Sequence, residues 1–442
     1  MITDKNRSPR ATRALFGTAL CLAFTSAAPP AEAATFRLVY NSQYQGANGL
    51  AEGEPGVFYV TAAGSGLTTA FYSVTARGTG TVLSSMSPPA FFGAPPVTGP
   101  NGRIYSSLAT ASHTANVLSV TPQGAQQLYP PQSIGLGLAQ NLPDGGFLAY
   151  GPSGANSYAS FIHISTAGVA TPIAQTSQHL MGVPTLGLDG NYYAITQTDY
   201  TGVLAVVQAT PSGQLNTIYT FPAMNNLRAP AMTILQAEDG NLYGALTSGG
   251  PNGTGFIFKL TLGGQYTLLY AYPKGDKFVN GPWELFEASD GNFYGVAQGN
   301  SEQGQVFRIT KSGQYSVIYE ITSVGCPCFL IQASDGLLWG LASFGGAQGY
   351  GGLFALNAGL PKPAPMALQF VPASGAAGTR VRIWGYQLLG ASVQFNGLAA
   401  TDAVNSGPNY VWATVPEGAT TGPITIATPG GATTTRDSFT VQ

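Results

Sequence analysis

One phrase recurs along this chain, and a repeat at a fixed period of 20–50 residues constrains the fold before any single residue does. Aligned on its glycine, the phrase stands at Gly56 ("EPGVFYV"), Gly102 ("PNGRIYS"), Gly145 ("PDGGFLA"), Gly190 ("LDGNYYA"), Gly240 ("EDGNLYG"), Gly291 ("SDGNFYG") and Gly336 ("SDGLLWG"). The spacings are 46, 43, 45, 50, 51 and 45 residues, which makes seven units. The sixth unit is the clearest: "WELFEAS", turn "DGN", "FYGVAQ", loop "GNSEQG", "QVFRIT", turn "KSGQ", "YSVIYEI". Four short strands per unit of this length are the signature of a propeller blade. The seventh unit stops after its third strand, and the missing phrase stands at the other end of the chain. "FRLVY" (36–40) matches the fourth-strand phrases "YTLLYAY" (266–272) and "YSVIYEI" (315–321). The predicted fold class is therefore all-β: a seven-bladed β-propeller closed by the N-terminal strand, which removes an otherwise open sheet edge.

Composition decides against disorder. Only 8% of residues are charged, against about 25% in an average globular protein, and Gly (59) and Pro (31) are abundant. A disordered chain would also be poor in aromatic and branched residues, whereas this one is 44% hydrophobic and 11% aromatic. The Asp-Gly pairs between apolar runs read as two-residue type I′ hairpin turns with positive φ at both central positions. A repeated Ca²⁺ loop would need several alternating carboxylates, which the phrase lacks.

Residues 1–33 read as a secretory signal peptide. Lys5, Arg7, Arg10 and Arg13 precede an apolar stretch from Ala14 to Ala28 that is too short to span a bilayer, and "AEA" before Ala34 is a small-x-small cleavage site. The expected location is secreted: extracellular, periplasmic or at the cell surface. Without those residues the chain carries 13 Lys+Arg and 17 Asp+Glu, a net charge of −4. No basic cluster offers a nucleic acid a footprint, and no later segment has the length of a transmembrane helix. A monomer is expected.

The phrases "GTGFIFKLTLGGQYTLLYAY", "QASDGNFYGVA" and "GQVFRITKSGQYSVIY" resemble the GloVer tandem repeats of bacterial secreted and surface-anchored proteins, closely over 230–357 and degenerately over 45–200. The resemblance implies a propeller-like structure and export, and transfers no catalytic residue. After a Pro-rich linker, "LPKPAP" (360–365), residues 366–442 alternate short strands with Gly and Pro turns, as in a small Ig-like sandwich. They resemble the IPT/TIG family in "P-x-S-G-x-x-G-T" (Pro372, Ser374, Gly375, Gly378, Thr379), "V-x-F-N-G" (Val393 to Gly397) and "VPEGATTGPITI". That family implies a spacer or sugar-associated module. The predicted organisation is a signal peptide at 1–33, a propeller at 34–359, a linker at 360–365 and an Ig-like domain at 366–442.

Chemistry is sparse. His113, His163 and His179 fall in different units with no metal-ligand spacing, and no G-x-S-x-G elbow is present. No metal and no cofactor is expected. Cys326 and Cys328 in "VGCPCF" form a candidate disulfide in an exported chain, although one intervening residue makes a strained ring. Blade topology puts the short Asp-Gly and Ser-Gly turns on one face and the long variable loops on the other, where ligand contacts tend to lie. Candidate binding residues there are Arg228, Lys274, Asp276, Lys277, Trp283, Glu284, His179, Tyr200 and Tyr350. Two readings stand. One is a non-catalytic protein binding a glycan, cell-wall or protein ligand through the long-loop face. The other is an extracytoplasmic polysaccharide lyase or hydrolase with its site on the same face. The absence of paired carboxylates in any one loop favours binding.

Overall fold

The computed structural model describes residues 34–44, 46–63, 69–86, 91–92, 95–109, 115–129, 137–152, 159–198, 203–224, 232–274, 281–299 and 303–442. The signal-peptide reading lies outside them. Every regular element among the described residues is a strand, and no helix is long and apolar enough to cross a membrane.

Among these residues, seven antiparallel sheets fill 35–357. Sheets 1 to 6 occupy 47–86, 91–128, 137–175, 179–220, 232–271 and 286–321, each in chain order. Sheet 2 departs slightly, since its first-strand position is split into Phe91–Phe92 and Val97–Thr98. Sheet 7 joins Val324–Gln332, Leu338–Gly345 and Gly352–Asn357 to Thr35–Asn41, which pairs antiparallel along the outer edge with Phe36 opposite Leu356 and Arg37 opposite Ala355.

Middle strands such as Leu242–Leu246 and Phe293–Gln298 are buried at every residue, because each sheet is covered on both faces by its neighbours. Tyr59 and Phe71 of sheet 1 pack with Ile104 and Leu108 of sheet 2. Val206 and Phe221 of sheet 4 pack with Leu242 and Phe256 of sheet 5. Sheet 7 in turn packs on sheet 1, where Phe58 stacks on the fully buried Trp339 at 4.1 Å between ring centroids. Complete burial of one such ring contributes on the order of 3 kcal/mol. Radially packed four-stranded sheets of this kind make the chain a β-propeller.

The recurring phrase has a different turn from the one expected. In "AEDGN" the Gly240 amide donates to the Ala237 carbonyl at 2.8 Å and the Ala237 amide to the Asn241 carbonyl at 2.9 Å. Only the glycine has positive φ, 78° at Gly240. This is a three-residue loop, a type I turn closed by a left-handed glycine, rather than a type I′ pair. Asp is preferred because its carboxylate accepts two bonds. Asp239 Oδ1 takes the Asn241 amide at 3.1 Å and Oδ2 takes the Tyr243 hydroxyl at 2.8 Å; Asp290 does the same with Asn292 and Tyr294, and Asp335 with Leu337 and the Trp339 indole. The closing Gly of "LYG", "FYG" and "LWG" is needed for another reason. The phenyl ring of Phe258, Phe307 or Phe354 on the next strand lies against Gly244, Gly295 or Gly340, where any Cβ would collide with it.

Two further contacts recur between sheets. Four residues before the turn glycine, a Glu or Gln accepts an amide from the preceding sheet's turn. Gln236 takes Leu188 at 2.6 Å, Glu287 takes Glu238 at 2.9 Å, Gln332 takes Ser289 at 2.8 Å, and Glu52 takes Ser334 at 2.8 Å, with the Ser334 hydroxyl donating to the same carboxylate. The fourth strands are joined by stacked rings: Tyr219 on Tyr266 at 5.1 Å, Tyr270 on Tyr315 at 4.0 Å, and Tyr319 on Phe36 at 5.2 Å, all within 6° of parallel. Phe36 and Glu52 thus repeat between the two ends of the repeat region the contacts that other sheets make with their sequence neighbours.

Residues 366–441 form two sheets, one ordered Met366–Val371, Arg380–Tyr386, Tyr410–Thr414, Ala403–Asn405, and one built on Gly422–Thr428 and Gly431–Val441, around Val381, Ile383, Val411, Ile424 and Phe439. This unit is docked on sheets 2 to 4. The Tyr410 hydroxyl donates to Leu142 O at 2.6 Å, the Trp412 indole to Pro100 O at 2.8 Å, Arg382 to Pro143 O at 3.0 Å, and Asn141 to Asn409 at 3.0 Å. Trp384 and Tyr410 share a core cluster with Leu142, Phe161 and Leu186 of sheets 3 and 4. The linker is tied as well, since Pro361 O accepts from Ser289 and Gln332 at 2.7 and 2.9 Å.

Candidate functional site

Opposite the Asp-Gly turns lie the loops between second and third strands and the connections between sheets. A cavity of about 520 Å³ opens there between sheets 4 and 5. Its base is aromatic. Tyr219 and Tyr266 are stacked, and Phe221 meets them edge-on at 5.0 and 5.7 Å. These rings come from fourth strands whose alternation points one side inward, so the inter-sheet rung doubles as the floor. The walls are Met224, from the connection leaving sheet 4, and Gly250 to Gly253, from the loop inside sheet 5; the Gly250 amide donates to Met224 Sδ at 3.4 Å, and Asn252 is anchored through its amide to Tyr272 O at 2.8 Å. Lys274 completes the lining.

Burial, reinforced by Tyr219, pushes the Tyr266 phenol up to about 12, so it stays a neutral donor and acceptor at physiological pH. The rim carries one ammonium, Lys274, and one anchored carboxamide, Asn252. Among the described residues, the lining contains no Asp, Glu, His, Cys or Ser.

Of the described residues singled out in sequence, Lys274 lines this cavity, while Trp283, Glu284, His179 and Tyr350 stand elsewhere. Trp283, 38% exposed, is held by its amide on Val296 O at 2.9 Å beside Glu284 at the start of sheet 6, and Tyr350 is exposed in the loop inside sheet 7. His179 opens the strand His179–Leu186 and is half-buried. Arg228, Asp276, Lys277 and Tyr200, and also His113, lie outside the described residues. Tyr219, Phe221 and Tyr266 were missed as site residues. Their signal was present, because "QY" after the Ser-Gly or Gly-Gly turn and the Tyr four residues later recur in register, but it reads as repeat grammar.

The cysteines correct an expectation. Cys326 and Cys328 are free. Cys326 takes a left-handed backbone, φ 53°, while Cys328 Sγ is occupied by Ser343 Oγ at 3.2 Å and Ala47 O at 3.4 Å. Burial pushes the Cys328 thiol up to about 12, which keeps it protonated. Nearby, Glu284 is part-exposed, and desolvation by the surrounding protein pushes its carboxyl up to about 8. On the opposite face, His163, in the strand Ala159–Ile164, has its Nε2 2.7 Å from Asp144 Oδ2.

Comparison with known proteins places the repeat and the fold. The family model described as Gloeobacter/Verrucomicrobia repeat matches residues 181–373. No curated protein matches the chain. Among solved structures, a catalytically inactive virginiamycin B lyase from Staphylococcus aureus, crystallised with quinupristin, is similar with a TM-score of 0.53 at 14% identity, covering 73% of this chain and 99% of that one. Hydrazine synthase of Kuenenia stuttgartiensis gives 0.50 at 14% identity, covering 69% and 94%. The β-propeller domain of the Trilobed protease from Pyrococcus furiosus gives 0.46 at 8% identity, covering 72% and 94%. At these identities the first two likenesses speak for the fold alone; with the repeat match and the packed four-stranded sheets, the chain is a repeat protein of β-propeller type.

Proposed function

We propose that this chain is a secreted, non-catalytic binding protein that recognises a glycan through the long-loop face of a seven-bladed propeller. The cavity between sheets 4 and 5 carries the reading: a stacked Tyr219–Tyr266 floor with Lys274 and Asn252 at its rim suits a sugar ring, and no carboxylate lines it among the described residues. The seven-bladed ring, closed by Thr35–Asn41, is supported by the seven sheets and by the Phe36–Tyr319 and Glu52–Ser334 contacts. An Ig-like module of IPT/TIG type at 366–442 is supported by its two packed sheets. Export rests on the signal-peptide pattern of residues 1–33.

The alternative, a polysaccharide lyase or hydrolase, draws on one observation. Glu284, with its carboxyl raised, has the protonation suited to a general acid near neutral pH. The two readings separate on an array of glycans and cell-wall fragments probed with the purified protein. Binding predicts retained, intact saccharides and weakened retention by Lys274→Ala. Shortened products that vanish with Glu284→Gln would establish the enzyme instead.

A further inference from the structure

A second cavity, of about 830 Å³, lies at the other end of the propeller, between the turns of sheets 4 and 5 and the C-terminal sandwich. It touches four consecutive residues, 366–369, of the strand Met366–Val371. This is the edge strand of its sheet, bulged at Leu368, and the cavity runs along it. That edge is unpaired: Met366–Val371 has Arg380–Tyr386 on one side and no partner strand on the other among the described residues. The cavity also borders residues 433, 434, 436 and 437 of Gly431–Val441, whose outer side is paired only at Thr440 and Val441. Open strand edges are templates for another strand, and natural proteins blunt them with charge or proline. Here the edge instead exposes Leu368 (39%) and Val371 (48%).

The lining also says what an added strand should carry. Asp189, Glu238 and Asp437 face a single Arg436 around the cleft, an excess of negative charge beside the apolar Leu186, Leu188 and Leu368. Trp384, 5% exposed, stands on the wall, and its indole N–H has no acceptor among the described residues.

We propose that this cleft binds an extended peptide of alternating apolar and basic residues as an extra strand along Met366–Val371. Main-chain hydrogen bonds to the open edge supply affinity, and alternate side chains reach the apolar wall and the acids. The site exists only because the sandwich is docked on the turns, so the propeller and its C-terminal unit build it together. It is independent of the loop-face cavity, which contains none of these residues.

The test is fluorescence anisotropy of the whole chain with a labelled Val-Lys octapeptide and its Val-Glu counterpart, followed by hydrogen exchange of the Val-Lys complex. The Val-Lys peptide binds, the Val-Glu peptide binds at least about tenfold more weakly, and raising salt narrows the gap. Amides of 366–371 exchange more slowly in the complex. Glu238→Lys with Asp437→Lys abolishes the preference at an unchanged melting temperature; should that double variant misfold, Asp437→Asn alone reduces the preference. Equal binding of both peptides, no binding of either, slowing confined to 219–224 and 250–253, or displacement of the Val-Lys peptide by a cellulose or chitin hexasaccharide would each overturn the proposal.

Discussion

Single residues in the repeated phrase act on stability, and their titration makes that measurable. Asp290 accepts from Asn292 at its amide and carboxamide and from Tyr294, and forms an ion pair with Arg308 at 3.7 Å. Asp290→Ala should therefore lower stability by about 1–2 kcal/mol in denaturant unfolding, with no effect on a loop-face ligand. At Asp239 burial opposes ionisation, but bonds from Asn241, Tyr243 and Lys259 outweigh it and hold the carboxyl at about 2. A depressed folded value stabilises above the ordinary range and is lost as pH falls through about 2, so Asp239→Asn should flatten the acid limb of the stability curve. Glu284 has the opposite sign. Its carboxyl, raised to about 8 from 4.5, contributes most to stability below the ordinary value and loses that contribution as pH rises through about 8. Glu284→Gln should melt with the parent near pH 4 and above it near pH 9, and a parallel shift at both would contradict the desolvation argument.

Strands and sheets obey a grammar that was largely legible. Turn glycines located the seven units, and "FRLVY" identified the strand that pairs with Gly352–Asn357, because local turn chemistry and apolar runs are written in consecutive residues. What joins one sheet to the next was not legible. The Glu or Gln before four of the turns and the paired Tyr residues look like ordinary strand positions until packing brings residues about 45 apart together. Glu52 is the telling case: burial raises its carboxyl against the bonds from Gly56 and Ser334 that favour the anion. Since Gln serves at the equivalent 236 and 332 positions, Glu52→Gln should be nearly neutral while Glu52→Ala costs about 1–3 kcal/mol through orphaned amides, both read from urea midpoints. Removing residues 34–42 should do more, exposing the Gly352–Asn357 edge and causing aggregation or loss of a cooperative melt. A truncated chain that melts like the intact one would refute closure by this strand.

At the scale of the whole molecule, the weak repeats have a cause. Sheets 2 and 3 carry Thr98 and Asn141 where sheets 1, 5, 6 and 7 carry the Glu or Gln contact, and both residues serve the C-terminal unit instead: Asn141 bonds Asn409, and Thr98 lies against Gly407, where any Cβ would collide with it. Degeneracy in the first half of the chain therefore marks a docking surface, which sequence periodicity registers only as noise. The lining of the loop-face cavity was partly readable. Unequal loop lengths pointed to the segments around it and to Lys274, whereas the aromatic floor was hidden inside the repeat. The account's central claim is that ligand recognition belongs to the variable loops and that the repeated phrase is scaffold. It is tested most directly by calorimetric titration of a saccharide retained on the array into the parent protein, Lys274→Ala and Asp290→Ala, with melting temperatures measured alongside. The account predicts that Lys274→Ala weakens binding by about tenfold at an unchanged melting temperature, while Asp290→Ala melts lower and binds as the parent does. Loss of binding in Asp290→Ala at an unchanged melting temperature, with Lys274→Ala binding normally, would put the site on the repeated turns and contradict it.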